Sequence, residues 1–309
     1  MVRNRRFALS AVAVAFGSFA GLAPASAAVI NDLFVFGDSY SDTGAFKELS
    51  NGPTWAGYLA QDFGITLTTS KNPDPGTDGV NFAESGARVF VGPTPPATQP
   101  RSLTQQVSEF QNDVTSDKVT FNPDSTLFFI EGGGNDHTGV TPAVTAGEVD
   151  AAITQQVTTL YQLGARLIEI ALLPSDLPIF GDSANKFNPG YAALVAEFQT
   201  EFPNAVFGLS NWGSDYDYIF EHPSVYNITN TTDQCSNNPA CTTPDTYFYY
   251  FGGHPSTFVH DIVGDDIYKE VLALPTPVPE PTAWAMLLIG FGLLGLLGYR
   301  KTRSDNALA

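Results

Sequence analysis

Predominantly apolar runs of strand length alternate along the chain with longer segments in which apolar residues recur every three or four positions. The apolar runs cover residues 33–36, 126–130, 167–173 and 205–209. The segments with helical spacing cover residues 53–62, 102–113, 143–163, 189–201 and 255–272. Apolar strands that alternate with helices indicate a parallel sheet covered by helices on both faces. We therefore predict an α/β fold with a mainly parallel central sheet.

Two segments do not follow this alternation. Residues 65–100 are rich in Pro, Gly, Asp and Thr, and they predict one short strand with long loops. Residues 211–250 are rich in Asn, Thr, Tyr and Pro, and we interpret them as irregular. Aromatic residues are spread through both segments, so we expect both to be folded.

The N-terminal segment has the pattern of a secretory signal peptide. Three arginines within the first six residues precede an Ala/Val/Phe-rich stretch and the small-residue sequence Ala25-Ser26-Ala27. This order is typical of a peptide that signal peptidase removes on export. We predict a signal peptide over residues 1–27, with a buried N-terminal helix as the alternative.

The C-terminal segment, residues 275–309, has a second targeting pattern. Val278-Pro279-Glu280-Pro281 precedes the uncharged run 283–299, and the basic cluster 300–303 follows. The run lies at the short limit for a membrane span, and the basic cluster would hold its end in the cytoplasm. The segment resembles the PEP-CTERM sorting signal. That resemblance implies processing by an exosortase and export to the surface or matrix of a Gram-negative bacterium. A plain membrane anchor is the alternative.

The segment between these ends, residues 28–274, has a length that suits one α/β domain or two small ones; we predict one domain and expect a monomer. The chain carries 32 Asp and Glu against 14 Lys and Arg, and its formal net charge is −18. Several of the basic residues lie in the two terminal segments, so the central domain is more acidic still. Such a surface repels nucleic acid, and we exclude nucleic-acid binding. Contact with a membrane is expected only through the C-terminal run.

Two cysteines, Cys235 and Cys241, flank a short polar loop. Because an exported chain folds in an oxidising compartment, this pair predicts a disulfide. Metal ligation is the weaker alternative, since neither a second cysteine pair nor a histidine pair has ligand spacing. We expect no metal.

The candidate chemistry lies where strands end, since ligands of open parallel sheets bind beyond the carboxyl ends of the strands. Ser39 follows the first strand and Asn135 follows a central one. A serine nucleophile needs a base and oxyanion donors, for which the amides of Ser39 and Gly86 and the Asn135 side chain are candidates. His254, in a loop before the final helix, is better placed as a base than the other three histidines. A helix-cap role is the alternative for Ser39.

In this order the motifs resemble the SGNH (GDSL) hydrolase family, in its plant-lipase-like branch. The resemblance rests on FGDSYSDTG (36–44), NFAESGA (81–87), GGND (133–136) and HPS (254–256). It implies a three-layer α/β/α sandwich and ester hydrolysis without a cofactor. It also implies that Ser39 is the nucleophile and His254 the base, with Ser39, Gly86 and Asn135 forming the oxyanion hole.

Two positions depart from the family pattern. The family places an aspartate three residues before the histidine, and this chain has Phe251 there; it also has Tyr40 where leucine is usual. We expect the backbone carbonyl near residue 251 to orient His254 in place of the carboxylate. The sequence thus predicts a working Ser-His dyad that is slower than a full triad.

The functional prediction is an exported serine esterase or lipase that acts on small-molecule or polysaccharide esters. Two alternatives remain open at this point. One is a surface or matrix binding protein that keeps the fold without activity, and the other is an acyltransferase that uses the same acyl-enzyme.

Overall fold

The computed structural model describes residues 29–47, 49–72, 78–90, 99–137, 144–275, 288 and 290–292. The predicted signal peptide lies outside these residues, as does nearly all of the predicted membrane run 283–299. Within the part that is described, no helix combines the length and apolar character needed to cross a membrane.

The central sheet contains six strands within the described residues. They are β1 (Asp32–Phe36), β2 (Leu67–Thr69), β3 (Gly79–Asn81), β4 (Thr126–Ile130), β5 (Leu167–Ala171) and β6 (Val206–Ser210). Their order is β2-β3-β1-β4-β5-β6, and every neighbouring pair is parallel. The predicted α/β class with a parallel sheet is confirmed.

Helices cover both faces of this sheet. They are α1 (Trp55–Phe63), α2 (Leu103–Thr115), α3 (Gly134–His137), α4 (Ala146–Leu163), α5 (Ser183–Glu201), α6 (Trp212–Glu221) and α7 (Thr257–Ala273). Helices α2, α4 and α5 pack together in one layer, whereas α1 and α6 pack against α7 in the other. Because both faces are covered, every residue of β4 and β5 is buried. The predicted three-layer sandwich is confirmed.

The chain forms a second, smaller sheet between α6 and α7. It consists of β7 (Asn230–Gln234), β8 (Tyr247–Phe251) and β9 (His254–Pro255). Strand β8 pairs with β7 in parallel and with β9 in an antiparallel hairpin. The predicted disulfide between Cys235 and Cys241 is present just after β7.

Three sequence predictions need correction. The segment 211–250 is not irregular throughout, because Trp212, Tyr216 and Ile219 are buried at the spacing of one helix face and form α6. The segment 65–100 forms two short strands where one was expected. Helix α5 begins before Pro189 and contains it, because the helix packs against α4 and β6 and this contact outweighs the local signal of the proline.

Candidate active site

Ser39 lies in the turn that follows β1, where its side chain is half-buried. Its Oγ lies 2.7 Å from Nε2 of His254, which comes from β9 of the second sheet. The structure therefore brings the predicted nucleophile and the predicted base into direct hydrogen-bond contact, although 215 positions separate them in the chain.

His254 is oriented by the backbone of its own hairpin. Its Nδ1 lies 3.1 Å from the carbonyl oxygen of Phe251, the residue that pairs with it across β8 and β9. Gly252 and Gly253 connect the two strands with φ of 59° and 80°. Two positive φ angles are typical of the tight type I′ hairpin turn, and glycine adopts them at little cost. The expected carbonyl near residue 251 is therefore the partner of Nδ1.

This contact selects the tautomer of the imidazole. A carbonyl oxygen can only accept a hydrogen bond, so Nδ1 carries the hydrogen and Nε2 presents a lone pair to Ser39. Burial lowers the pKa of His254 below its ordinary value, and the Lys47 ammonium acts in the same direction. Hydrogen bonds to the carbonyls of Phe251 and Gly252 oppose that shift. A neutral imidazole with a free Nε2 can accept a proton near neutral pH.

Two of the other histidines have different environments. His260 is buried on α7, where its Nδ1 lies 2.6 Å from the hydroxyl of Tyr216, and burial lowers its pKa to about 3. His222 is exposed at the end of α6 and contacts the carbonyl of Tyr218. Neither has a recorded contact with Ser39, which supports the choice of His254.

Two buried carboxyl groups, those of Asp38 and Glu131, hold the turn 37–41 that carries Ser39, here called the serine loop. Glu131 follows β4, and its Oε2 accepts hydrogen bonds from the Asp38 amide at 3.1 Å and the Ser41 hydroxyl at 2.7 Å. Burial raises the pKa of Glu131 to about 7. It also raises the pKa of Asp38 well above its ordinary value, and the nearby Glu131 charge adds to this shift. The pair therefore retains a proton near neutral pH instead of carrying two full charges.

Asn135 lies in α3, directly after the glycine run that ends β4. Its Nδ2 donates to Asp38 Oδ2 and to the Ala87 carbonyl, each at 2.9 Å. The glycine run is required there, because a Cβ at Gly133 would lie 2.7 Å from the hydroxyl oxygen of Tyr191. The structure thus ties Asn135 to the residue before Ser39.

Gly86 lies beside this group without sharing its cavity. It precedes Ala87, has φ of 86° and is exposed. It lines a separate cavity of about 240 Å³ with Arg88 and Pro100. Among the described residues, the backbone amides of Gly86 and Ser39 have no protein acceptor. Both amides therefore remain available as donors. Ser39 and Asn135 line one cavity and His254 contacts Ser39, whereas Gly86 lines a different cavity.

The cavity next to Ser39 is small, with a volume of about 60 Å³. Its lining residues are Asp38, Ser39, Tyr40, Gly134, Asn135, Ile179 and Phe180. A larger cavity of about 350 Å³ lies beside α1, but its lining contains none of the four predicted site residues. We place the candidate site at the smaller cavity because the reactive groups lie there.

The sequence analysis did not identify the residues that support and line this site. Glu131 had a detectable signal, since it directly follows the apolar residues 127–130 and a carboxylate there is costly to bury without partners. Ile179 and Phe180 had none, because they lie in a connecting loop far along the chain. No group of three or more potential metal ligands occurs within the described ranges.

Comparison with known proteins gives the class. Residues 33–267 match the family model of GDSL-like lipase/acylhydrolase, and residues 277–303 match the PEP-CTERM protein-sorting motif. The chain therefore belongs to the GDSL-like lipase/acylhydrolase family and is a hydrolase that acts on esters. Its C-terminal motif implies exosortase-mediated sorting to the cell surface.

Individual relatives are distant. An acetylesterase of Thermothelomyces thermophilus is 24% identical over 276 residues, which cover 76% of this chain and 86% of that protein. A GDSL esterase/lipase of Arabidopsis thaliana is 30% identical over 135 residues, which cover 34% of this chain and 36% of that protein.

Two solved structures resemble this chain at low sequence identity. The structure of an acetylxylan esterase from Geobacillus stearothermophilus has 16% sequence identity and a TM-score of 0.45, covering 80% of this chain and 96% of that one. A lipolytic G-D-S-L family protein from Veillonella parvula has 12% identity and the same TM-score, covering 77% of this chain and 96% of that one.

Proposed function

We propose that this protein is an exported serine esterase in which Ser39 is the nucleophile and His254 the general base. The observation that carries the proposal is the 2.7 Å contact between Ser39 Oγ and His254 Nε2, with His254 Nδ1 bonded to the Phe251 carbonyl. Nucleophile, base and orienting group form the chain of contacts that acyl transfer requires.

The proposed reaction has two halves. Nε2 of His254 takes the hydroxyl proton of Ser39 while Oγ bonds to the ester carbonyl carbon. The imidazolium then returns the proton to the leaving alcohol as its bond to the acyl carbon breaks. A water molecule, deprotonated by the same imidazole, attacks the acyl-enzyme, and the carboxylic acid leaves as Ser39 regains its proton.

The oxyanion of each tetrahedral intermediate would be stabilised by the Ser39 amide, the Gly86 amide and Asn135 Nδ2. The two amides have no competing acceptor within the described residues. Nδ2 of Asn135 is engaged by Asp38 and Ala87 in the free protein, so one of its hydrogens would be shared with the oxyanion. The Ser39 and Gly86 amides are fixed by the backbone and need no reorganisation during the reaction.

The Phe251 carbonyl is proposed to substitute for the orienting half of the usual aspartate. In a serine protease, an amide in place of that aspartate lowers turnover by roughly 10⁴, largely because it selects the wrong tautomer. A carbonyl cannot donate to Nδ1 and so does not select that tautomer. It lacks the charge that would stabilise the imidazolium, and we expect an active dyad that is slower than a full triad.

The size of the cavity favours esters of short acyl groups. The cavity beside Ser39 has a volume of about 60 Å³. An acetyl group is of this size, whereas a fatty acyl chain is not. The acetylesterase among the relatives supports the same substrate class. Export to the cell surface makes an acetylated polysaccharide a suitable natural ester.

The proposed route of export uses both ends of the chain. Signal peptidase would remove residues 1–27, and the 283–299 run would hold the protein in the inner membrane until an exosortase acts on the motif. The mature domain is proposed to act as a monomer, in the cell envelope or the extracellular matrix.

The test of this function is hydrolysis of p-nitrophenyl acetate by the purified domain. We expect Ser39→Ala to lose this activity while its melting temperature stays close to that of the wild type. Within an ester chain-length panel, acetate should be the preferred acyl group, and an acetylated polysaccharide assayed in parallel should release acetate. A Ser39→Ala protein with wild-type turnover would exclude the proposed mechanism.

A further inference from the structure

The base of this dyad depends on a hairpin that contains two consecutive glycines. A backbone carbonyl orients an imidazole only as well as the backbone itself is fixed. Glycine has more conformational freedom than any other residue, so Gly252-Gly253 would leave both the Phe251 carbonyl and His254 free to move. Something outside the hairpin must restrain it.

Tyr40 provides such a restraint from the loop of the nucleophile. Its hydroxyl donates a hydrogen bond of 2.9 Å to the carbonyl of Gly253, the residue directly before His254. Its ring lies 5.3 Å from the imidazole of His254, measured between ring centres. Tyr40 follows Ser39 directly in the chain. One side chain therefore connects the backbone of the nucleophile to the backbone of the base.

The hydroxyl of Tyr40 is held in a fixed position by its surroundings. The side chain is 2% exposed, and its ring packs edge-on against the rings of Phe180, Trp212 and Tyr216 at 5.0–5.7 Å. Burial raises the pKa of the phenol well above its ordinary value, so the group stays protonated and remains a donor. A leucine at this position could fill the space but could not bond the carbonyl.

Two further contacts restrain the same hairpin from other elements. The Gly252 amide donates to Oε1 of Gln234 on β7 at 2.8 Å. The side chain of Ile179 lies so close to Gly253 that a Cβ there would be 2.9 Å from its Cδ1. Both contacts hold the hairpin against other elements, whereas the Tyr40 contact links it to the turn that carries Ser39.

We propose that Tyr40 is a positioning residue that, with the Phe251 carbonyl, replaces the orienting aspartate of a full triad. It holds the Gly252-Gly253 hairpin so that His254 Nε2 stays directed at Ser39. The inference rests on the proposed function, since it assigns Tyr40 a role in the Ser39–His254 dyad. The two residues that depart from the family pattern, Tyr40 and Phe251, then act together to orient His254.

The test compares Tyr40→Phe with Tyr216→Phe. Both variants remove one buried hydroxyl from the same aromatic cluster, but the Tyr216 hydroxyl bonds His260 and has no contact with the hairpin. For Tyr40→Phe we expect kcat to fall about three- to tenfold, the effect of losing one ordinary hydrogen bond, with KM within about twofold. Tyr216→Phe should keep kcat.

An NMR titration of the His254 imidazole supplies a readout that does not need turnover. The bond from Nδ1–H to the Phe251 carbonyl favours the imidazolium, so a looser hairpin should lower the pKa of His254 in Tyr40→Phe. Lys47 acts on the pKa of His254, which in turn affects the pKa of His260 and contacts Ser39, and this variant changes none of these three residues. Tyr216→Phe should leave the pKa of His254 unchanged.

The outcomes separate the inference from the proposed function. Equal losses in the two variants, or an unchanged His254 pKa in Tyr40→Phe, would overturn the positioning role. Ser39→Ala is measured in the same assay. If Ser39→Ala retains activity, the proposed function fails. If Ser39→Ala loses activity and Tyr40→Phe retains full kcat, the proposed function stands and the positioning role of Tyr40 is wrong.

Discussion

The two halves of the dyad are held in place by different means. On the serine side, buried side chains fix the backbone. The side-chain amide of Gln106 bonds both the N–H and the carbonyl of Gly37 at 2.9 Å. Glu131 Oε2 accepts a hydrogen bond from the backbone N–H of the next residue, Asp38. On the histidine side, the partner of the imidazole is a backbone carbonyl in a hairpin outside the central sheet. The nucleophile is thus fixed by buried polar groups, and the base by a turn.

This difference indicates which side of the dyad tolerates amino-acid substitution. A buried polar network is costly to break, because each group left without a partner has lost its hydration as well. On the histidine side, the Tyr40 hydroxyl is the buried group that would lose its partner if the hairpin moved. The departures from the family pattern, Phe251 and the Tyr40 contact, concern the orientation of the histidine side. The three variants below perturb one side at a time.

The largest effect is expected from Asn135→Ala on the serine side. This variant removes a proposed oxyanion donor, and loss of one such donor lowers kcat by about 10²–10³. KM should change much less, because the oxyanion exists only after attack. Steady-state kinetics with p-nitrophenyl acetate measures both values, and Asn112→Ala on the exposed face of α2 is the control. A kcat within about threefold of wild type would remove Asn135 from the oxyanion hole.

An intermediate effect, on stability, is expected from Glu131→Gln. Burial raises the pKa of Glu131 from 4.5 to about 7 in the folded protein, so the unfolded chain releases this proton at lower pH. Stability should therefore fall as pH rises through that window, by up to about 1.4 kcal/mol per pKa unit. The glutamine keeps an acceptor oxygen but does not titrate, so the fall should be smaller in the variant.

Denaturant unfolding at about pH 5 and about pH 8 measures this slope. Other buried carboxyls with raised pKa values, such as Glu169 and Asp215, contribute to it in both proteins, so the informative quantity is the difference between them. Glu201→Gln at the exposed end of α5 should keep the wild-type slope. If Glu131→Gln keeps that slope as well, Glu131 does not retain its proton on folding.

The smallest effect is expected from Phe251→Asp, which gives the histidine side the carboxylate that it lacks. Residues 251 and 254 pair directly across the hairpin, and side chains of such pairs have Cβ atoms about 5 Å apart. A carboxylate there should stabilise the imidazolium, raise kcat by up to about tenfold and raise the pKa of His254. In the pH profile of kcat/KM, the acidic limb should move to higher pH.

Phe251→Asn is the matched control, because it has the same shape without the charge. It should give neither the gain in kcat nor the shift of the acidic limb. Identical behaviour of the Asp and Asn variants would mean that charge next to His254 is not what limits this dyad.

Local patterns predicted the central fold well and the support of the site poorly. The apolar runs 33–36 and 126–130 have the length of buried strands, and the rule for parallel sheets then placed Ser39 and Asn135 at one edge. Helix α6 had the spacing of a buried face, but the polar residues around it masked that signal. The bond from Tyr40 to Gly253 spans 213 positions, and the bonds from Glu131 to Ser41 and Asp38 span 90 and 93 positions. Such long-range contacts have no local pattern.

The most direct test of the dyad is the rate at which a fluorophosphonate labels the intact domain, with the adduct located by mass spectrometry. We expect wild-type protein to be labelled at Ser39 and His254→Ala to react at least about 100-fold more slowly, as loss of a general base requires. His222→Ala, which has the same His-Pro-Ser context on an exposed surface, should react like wild type. Equal labelling of wild type and His254→Ala, or an adduct on another residue, would contradict the proposed activation of Ser39 by His254.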